Sequence, residues 1–173
     1  QRPVFNLIVR MVRQEATAED LTQDTFLKMF RALGSYKQEL RFSSWVLRIA
    51  HNTAIDFLRQ RRLLTVGPTE DADGDEHDPL DALPDLDAIS PEQSRLRAEL
   101  AGAVDQALDR LRPDYRAIVI LRYHEGLDYQ EIAQVLGVPL GTVKTFLHRA
   151  RRHLARELAA AGWGPETTPR IRP

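Results

Sequence analysis

Apolar positions recur at three- and four-residue intervals along almost the whole chain, with no clear alternating run and no Asn-Gly or Asp-Gly hairpin. That spacing predicts helices and argues against strands. One apolar-rich helix is expected over residues 3–13. A second is expected over 17–33, with acids in its first turn, where the helix dipole favours them. Phe26, Met29, Phe30 and Leu33 should be its core face, and Gly34 should stop it. The polar loop SYKQELRF then leads to Ser43 or Ser44 as N-cap. A long helix follows to about residue 62, with Leu47, Ala50, Ala54, Phe57 and Leu58 turned inward.

The pattern breaks at residues 65–89, which carry three prolines and many acids and little apolar surface to bury; they are expected to form a mobile linker. Ser90-Pro91-Glu92-Gln93 reads as a helix start, with Ser as cap, Pro at the first helical position and Gln at the capping-box position. That helix carries Leu96, Leu100, Val104, Leu108 and Leu111 as far as Pro113. Another is expected over 114–124, ending at Gly126. Asp128 and Glu131 then form a D-x-x-E capping box before a short helix that stops at Gly137. After a Val-Pro-Leu turn, Gly141 and Thr142 open a last helix. The expected fold is all-α: two small helical domains at 1–64 and 90–160, a flexible acidic linker at 65–89 and a frayed tail at 161–173.

Charge sharpens this picture only once it is located. The 173 residues have a formal net charge of −1, which alone argues against nucleic acid as a partner. Between residues 63 and 94, however, there are ten acids and no Lys or Arg before Arg95. The rest of the chain holds 24 basic against 15 acidic residues, a balance of +9. Two basic modules are joined by an acidic connector. With no cysteine there is no disulfide framework or thiolate metal site. The longest aliphatic run, AIVIL at 117–121, is far short of a membrane span, and no signal-peptide pattern is present, so a cytoplasmic location is expected. The chain begins at Gln1 within a helical pattern, so a natural N-terminus further upstream is expected.

Two short helices joined by a tight Gly-containing turn, the second basic, describe a helix-turn-helix. Its expected inner face is Ile132, Ala133, Leu136, Val143, Leu147, Ala150 and Leu154. Its outer face is Lys144, Thr145, His148, Arg149, Arg151 and Arg152. A basic helix can simply be a solvated one. Residues 141–156, however, hold five Lys or Arg and no acid, whereas a solubilising face mixes signs. A one-signed face after a tight turn fits phosphate neutralisation and groove entry. His148 has no second ligand at suitable spacing, so no metal or other cofactor is expected.

Three collinear strings, AEDLTQDTFLKMFRAL, FSSWVLRIAHNTAIDFLRQRR and LRPDYRAIVILRYHEGLDYQEIAQVLGVPLGTVKTFLHRARRHL, resemble the extracytoplasmic-function (ECF) class of bacterial RNA polymerase sigma factors. The resemblance covers roughly 130 residues, in the family's order and with its variable linker, although the first helix of domain 2 is shorter than the family's. It implies that residues 1–64 are sigma domain 2 and 90–160 sigma domain 4. It implies a promoter-specificity subunit and not an enzyme. Its partners would be core polymerase, at the clamp and flap regions, promoter DNA as duplex and melted non-template strand, and an anti-sigma factor.

Clamp binding then falls to Asp20, Gln23, Asp24, Leu27 and Arg31, which spacing puts opposite the expected core face. Recognition and melting of the −10 element fall to Tyr36, Trp45, Arg48 and Asn52. An aromatic there can stack a flipped base, Asn can read a base edge, and Arg can hold phosphate. Bland alternatives stand beside these roles: Trp45 as core, and Asn52 as a residue bonded inside the domain. Arg59, Arg61 and Arg62 would meet duplex phosphates upstream. Reading of the −35 element falls to Lys144, Thr145, His148, Arg149 and Arg152, with Arg112 and Arg122 as phosphate contacts. Many family members carry Arg where Lys144 stands, and Lys lacks the bidentate fork. The acidic linker either threads into polymerase channels or acts as a spacer. Two other readings remain: a stand-alone LuxR-type regulator, which would need a receiver or ligand domain upstream, and a sigma-like decoy that binds polymerase without melting DNA.

Overall fold

A computed structural model describes residues 1–36, 41–63 and 91–163. The expected linker, residues 37–40 of the polar loop, the Ser90 cap and the tail beyond 163 lie outside them, as do the side chains of Arg62, Leu63 and residues 91–94. Among the described residues there are seven α-helices, one short 3-10 turn and no strand, as the all-α expectation requires. The helices are α1 (Arg2–Val12), α2 (Glu15–Ala32), α3 (Phe42–Leu63), α4 (Pro91–Asp109), α5 (Pro113–Tyr123), α6 (Tyr129–Leu136) and α7 (Leu140–Ala160); the turn is Leu33–Ser35.

The described residues form two compact units, one within 1–63 and 113–147, the other within 91–112 and 148–163. In the first, α1, α2 and α3 pack on one another, α5 packs on α1, and α6 packs on α3. The reason begins in α1, whose Val4, Leu7, Ile8, Met11 and Val12 are all buried. They recur at i, i+3, i+4, i+7 and i+8, one wide apolar stripe. Burying each such aliphatic side chain fully stabilises by roughly 1.5–3 kcal/mol. Helix α5 goes further: every residue from 115 to 121 is buried. A helix apolar on nearly all sides has to be covered on nearly all sides. In the second unit, an ion pair joins Arg110, just past α4, to Glu157 on α7 and holds that carboxyl below its ordinary range.

Several expected boundaries and faces are corrected. Helix α3 begins at Phe42, so Ser43 and Ser44 lie in its first turn, and the first helical bond is Trp45 N–H to the Arg41 carbonyl. Gly34 does not cap α2 in a left-handed conformation; the helix tightens into the 3-10 turn instead. Phe30 and Leu33, expected in the core, are 67% and 47% exposed. Helix α2 buries Ala18, Thr25 and Met29, and Phe30 lies one step of about 100° beyond that arc. Thr25 fits the interior because its hydroxyl donates to the Leu21 carbonyl at 2.7 Å.

Candidate nucleic-acid interface

The start of α3 carries an aromatic cluster. Tyr36 and Trp45, 5.1 Å apart between ring centroids, both contact Phe42, at 5.3 Å and 5.7 Å. Offset and edge-on arrangements at these distances are the favourable ones for rings. Trp45 is half-buried, so it is neither pure core nor a free contact, and Phe42 is exposed. Phe42 is absent from the residues assigned by motif position. Its signal, an aromatic three residues before Trp45 and hence on the same helix face, was available in the sequence.

Further along α3, Arg48, Asn52, Arg59 and Arg61 are exposed. Asn52 Oδ1 lies 3.4 Å from His51 Nδ1, which leaves its amide nitrogen uncommitted to that pair. His51 is buried, and its pKa is lowered by that burial; Asn52 and the Asp114 carboxylate oppose the shift.

Helix α2 turns its expected polymerase face to solvent. Asp20, Gln23, Leu27 and Arg31 are exposed, and Asp24 is half-buried and pairs with Lys28 at 2.8 Å. Lys28 in turn donates to Thr53 on α3 at 3.2 Å, tying the two helices together. Exposed Phe30 and Leu33 widen the apolar surface that starts at Leu27.

The helix-turn-helix is built as its sequence requires. Glu131 N–H donates to Asp128 Oδ1 at 2.8 Å, and Asp128 N–H donates to Glu131 Oε2 at 2.9 Å, a complete capping box. Gly137 closes α6 in the left-handed region at φ 68°. Ile132, Val143, Leu147 and Ala150 are buried as expected; Ala133, Leu136 and Leu154 are half-buried; Val135 is a buried member the expected inner face lacked.

On α7, Lys144, Thr145 and Arg152 are exposed, and His148 and Arg149 are half-buried. The Thr145 hydroxyl donates back to the Gly141 carbonyl at 3.0 Å, leaving its lone pairs to face outward. Arg151, expected on the outer face, is buried. Arg112 is exposed, whereas Arg122 donates to the Leu127 carbonyl at 3.1 Å and lies over the Tyr129 ring. It therefore braces the turn between α5 and α6. Among the described residues no cluster of His, Cys, Asp or Glu could hold a metal, and no helix is long and apolar enough to cross a membrane.

Comparison with known proteins divides the chain by sequence into two matched regions. Residues 1–63 match the family model for sigma-70 region 2, and residues 101–154 match that for sigma-70 region 4. The chain is 40% identical over 161 residues to the RNA polymerase sigma-H factor of Pseudomonas aeruginosa, covering 91% of this chain and 81% of that one. It is 39% identical over 157 residues to the ECF sigma factor SigE of Mycolicibacterium smegmatis, covering 90% of this chain but only 57% of the relative. It is 32% identical over 155 residues to SigW of Bacillus subtilis, covering 90% and 82%. Two solved structures share the fold. The sigma factor RpoE of Bartonella quintana, in complex with the anti-sigma factor NepR, has a TM-score of 0.62 at 24% identity and covers 90% of this chain and 89% of its own. CnrH in complex with the cytosolic domain of CnrY has a TM-score of 0.61 at 25% identity and covers 91% and 81%. The chain belongs to the ECF class of the sigma-70 family of RNA polymerase sigma factors.

Proposed function

We propose that this chain directs core RNA polymerase to specific promoters and opens the DNA there, as a cytoplasmic, non-enzymatic subunit that needs no cofactor. The observation that carries the reading is one helix, α3, with an aromatic cluster at its start and exposed Arg48 and Asn52 beyond it, in the same chain as a fully capped helix-turn-helix. Residues 1–64 would act as domain 2, 65–89 as linker, 90–160 as domain 4 and 161–173 as tail.

In domain 2, Tyr36, Phe42 and Trp45 would stack an unstacked non-template base, and Asn52 would read its edge. Stacking contributes about 1–3 kcal/mol per base, which offsets a few kcal/mol of unstacking. Arg48, Arg59, Arg61 and Arg62 would hold phosphates on either side. The α2 face of Asp20, Gln23, Asp24, Leu27 and Arg31, extended by Phe30, would dock on the polymerase clamp, charge steering the encounter and apolar area holding it. In domain 4, Lys144, Thr145, His148, Arg149 and Arg152 would enter the major groove at −35, with Arg112 on phosphate. Arg122 would contribute chiefly by bracing the turn. An anti-sigma partner is proposed because two structural relatives were solved bound to one.

Adding the purified chain to core polymerase on genomic promoter fragments tests the reading; specific initiation is expected. Dimeric DNA binding without polymerase would favour a LuxR-type regulator, and polymerase binding without initiation would favour a decoy. Asn52→Ala should impair promoter opening and leave polymerase binding intact. Lys144→Ala and Arg149→Ala should each weaken −35 binding.

A further inference from the structure

Helix α3 carries four arginines and a single acid, Asp56, in its 22 residues. Successive helical residues turn by about 100°, so Trp45, Arg48, Asn52, Asp56 and Arg59 all fall within an arc of about 80°. Asp56 therefore lies on the face proposed to capture promoter bases, about one turn beyond Asn52. It is exposed, and among the described residues no group bonds to or pairs with its carboxylate. Arg59 stands three residues on, at a spacing that supports an ion pair along a helix, yet the two do not pair.

An acid on a surface helix is ordinarily a solvated one. Asp56, however, is a poor helix former in the interior of α3, forgoes the pair with Arg59 and stands among cations suited to hold phosphate. Beside a phosphate a carboxylate is repelled, whereas against a base edge it is a strong acceptor. From Asn52 to Asp56 the helix rises about 6 Å, the spacing of roughly two base pairs at about 3.4 Å each. A carboxylate accepts hydrogen bonds and donates none. In the major groove guanine offers O6 and N7 and thymine offers O4, all acceptors, so both are refused. Adenine presents its N6 donors beside the acceptor N7, which repels a carboxylate. Cytosine presents its N4 donors with no acceptor beside them on that edge. We infer that Asp56 is a specificity-determining residue that selects cytosine in the duplex, about two base pairs upstream of the base read by Asn52. The inference rests on the promoter reading proposed above.

Transcription by the full chain with core polymerase, from a promoter library randomised over the −10 element and about five base pairs upstream, tests it. The position that loses its base preference in Asn52→Ala marks the base that Asn52 reads. About two base pairs upstream of it, the wild-type chain should favour cytosine about fivefold or more over each other base. Asp56→Ala should abolish that preference and leave the −35 preference intact. Asp56→Asn, which is isosteric, should move it toward adenine, whose N6 and N7 an amide engages together. Loss of the negative charge should also tighten holoenzyme binding to a non-cognate duplex about one-and-a-half- to fivefold in both variants. A structural role would instead lower output at every sequence and leave the base preference as it was, and that result overturns the inference. A wild-type chain without the cytosine preference, an Asp56→Ala variant that keeps it, or unchanged non-cognate binding does the same. If Asn52→Ala alters no base preference, the register fails and the inference with it. If the wild type initiates from no member of the library, the promoter reading itself falls and Asp56 loses its role along with it.

Discussion

Buried His51 makes α3 sensitive to acid. Burial favours the neutral ring and outweighs the opposing effects of Asn52 and Asp114, so its folded pKa lies below the ordinary 6.5. The unfolded chain then binds more protons than the folded one over the interval between the two values. Stability from this group is fully present above about 6.5 and is lost as pH falls below it toward the folded pKa. Thermal melting at pH 7.5 and at pH 5.5 should therefore show a lower midpoint in acid, and His51→Gln should flatten that dependence. An equally steep profile in the variant would remove His51 from the account. Gly137 makes a second residue-scale case. Its φ of 68° is disfavoured for any residue with a β-carbon, and the space beside it is held by Arg48. Gly137→Ala should cost about 1–2 kcal/mol of stability in chemical denaturation, mostly from the backbone. Trimming Arg48 should not recover that loss.

At the scale of the element, α2 shows what periodicity can and cannot decide. Its apolar residues fit one stripe on paper, yet Ala18, Thr25 and Met29 are buried while Phe30 projects into water. A small alanine and a threonine that satisfies its own hydroxyl can both be buried, a preference no hydrophobicity count registers. Helices α1, α5 and α6 were legible because their signals are redundant: a five-member apolar stripe, an apolar run, and a reciprocal cap closed by glycine. The exposure of Lys144, Thr145 and Arg152 on α7 was legible for the same reason, with buried Arg151 as the exception to the expected outer face. If α2 docks on polymerase through an exposed apolar anchor, Phe30→Ala should leave stability within about 0.5 kcal/mol. It should still weaken core polymerase binding about tenfold or more, as truncation of an interface anchor does. Parallel denaturation and binding titrations separate the two effects, and an equal loss in both would make Phe30 a structural residue.

For the molecule as a whole, the arrangement of charge matters more than its sum. A net charge of −1 would predict weak, salt-insensitive contact with DNA, but Lys144, Arg152 and Arg112 are exposed, and ten of the 25 acids fall between residues 63 and 94, where there is no Lys or Arg. Binding of a duplex carrying the −35 element should therefore follow counterion release at the local face. If Lys144, Arg149, Arg152 and Arg112 each neutralise one phosphate, the slope of log affinity against log salt should be near −3.6, at about −0.9 per contact. Between 50 and 200 mM salt that is a loss of about two orders of magnitude. Lys144→Ala and Arg149→Ala should each make the slope shallower by about 0.9, whereas Thr145→Ala should lower affinity at every salt concentration without changing it. A slope near zero for the wild-type chain in the holoenzyme would mean that the acidic segment neutralises the basic face, and the groove assignment for α7 would have to be abandoned.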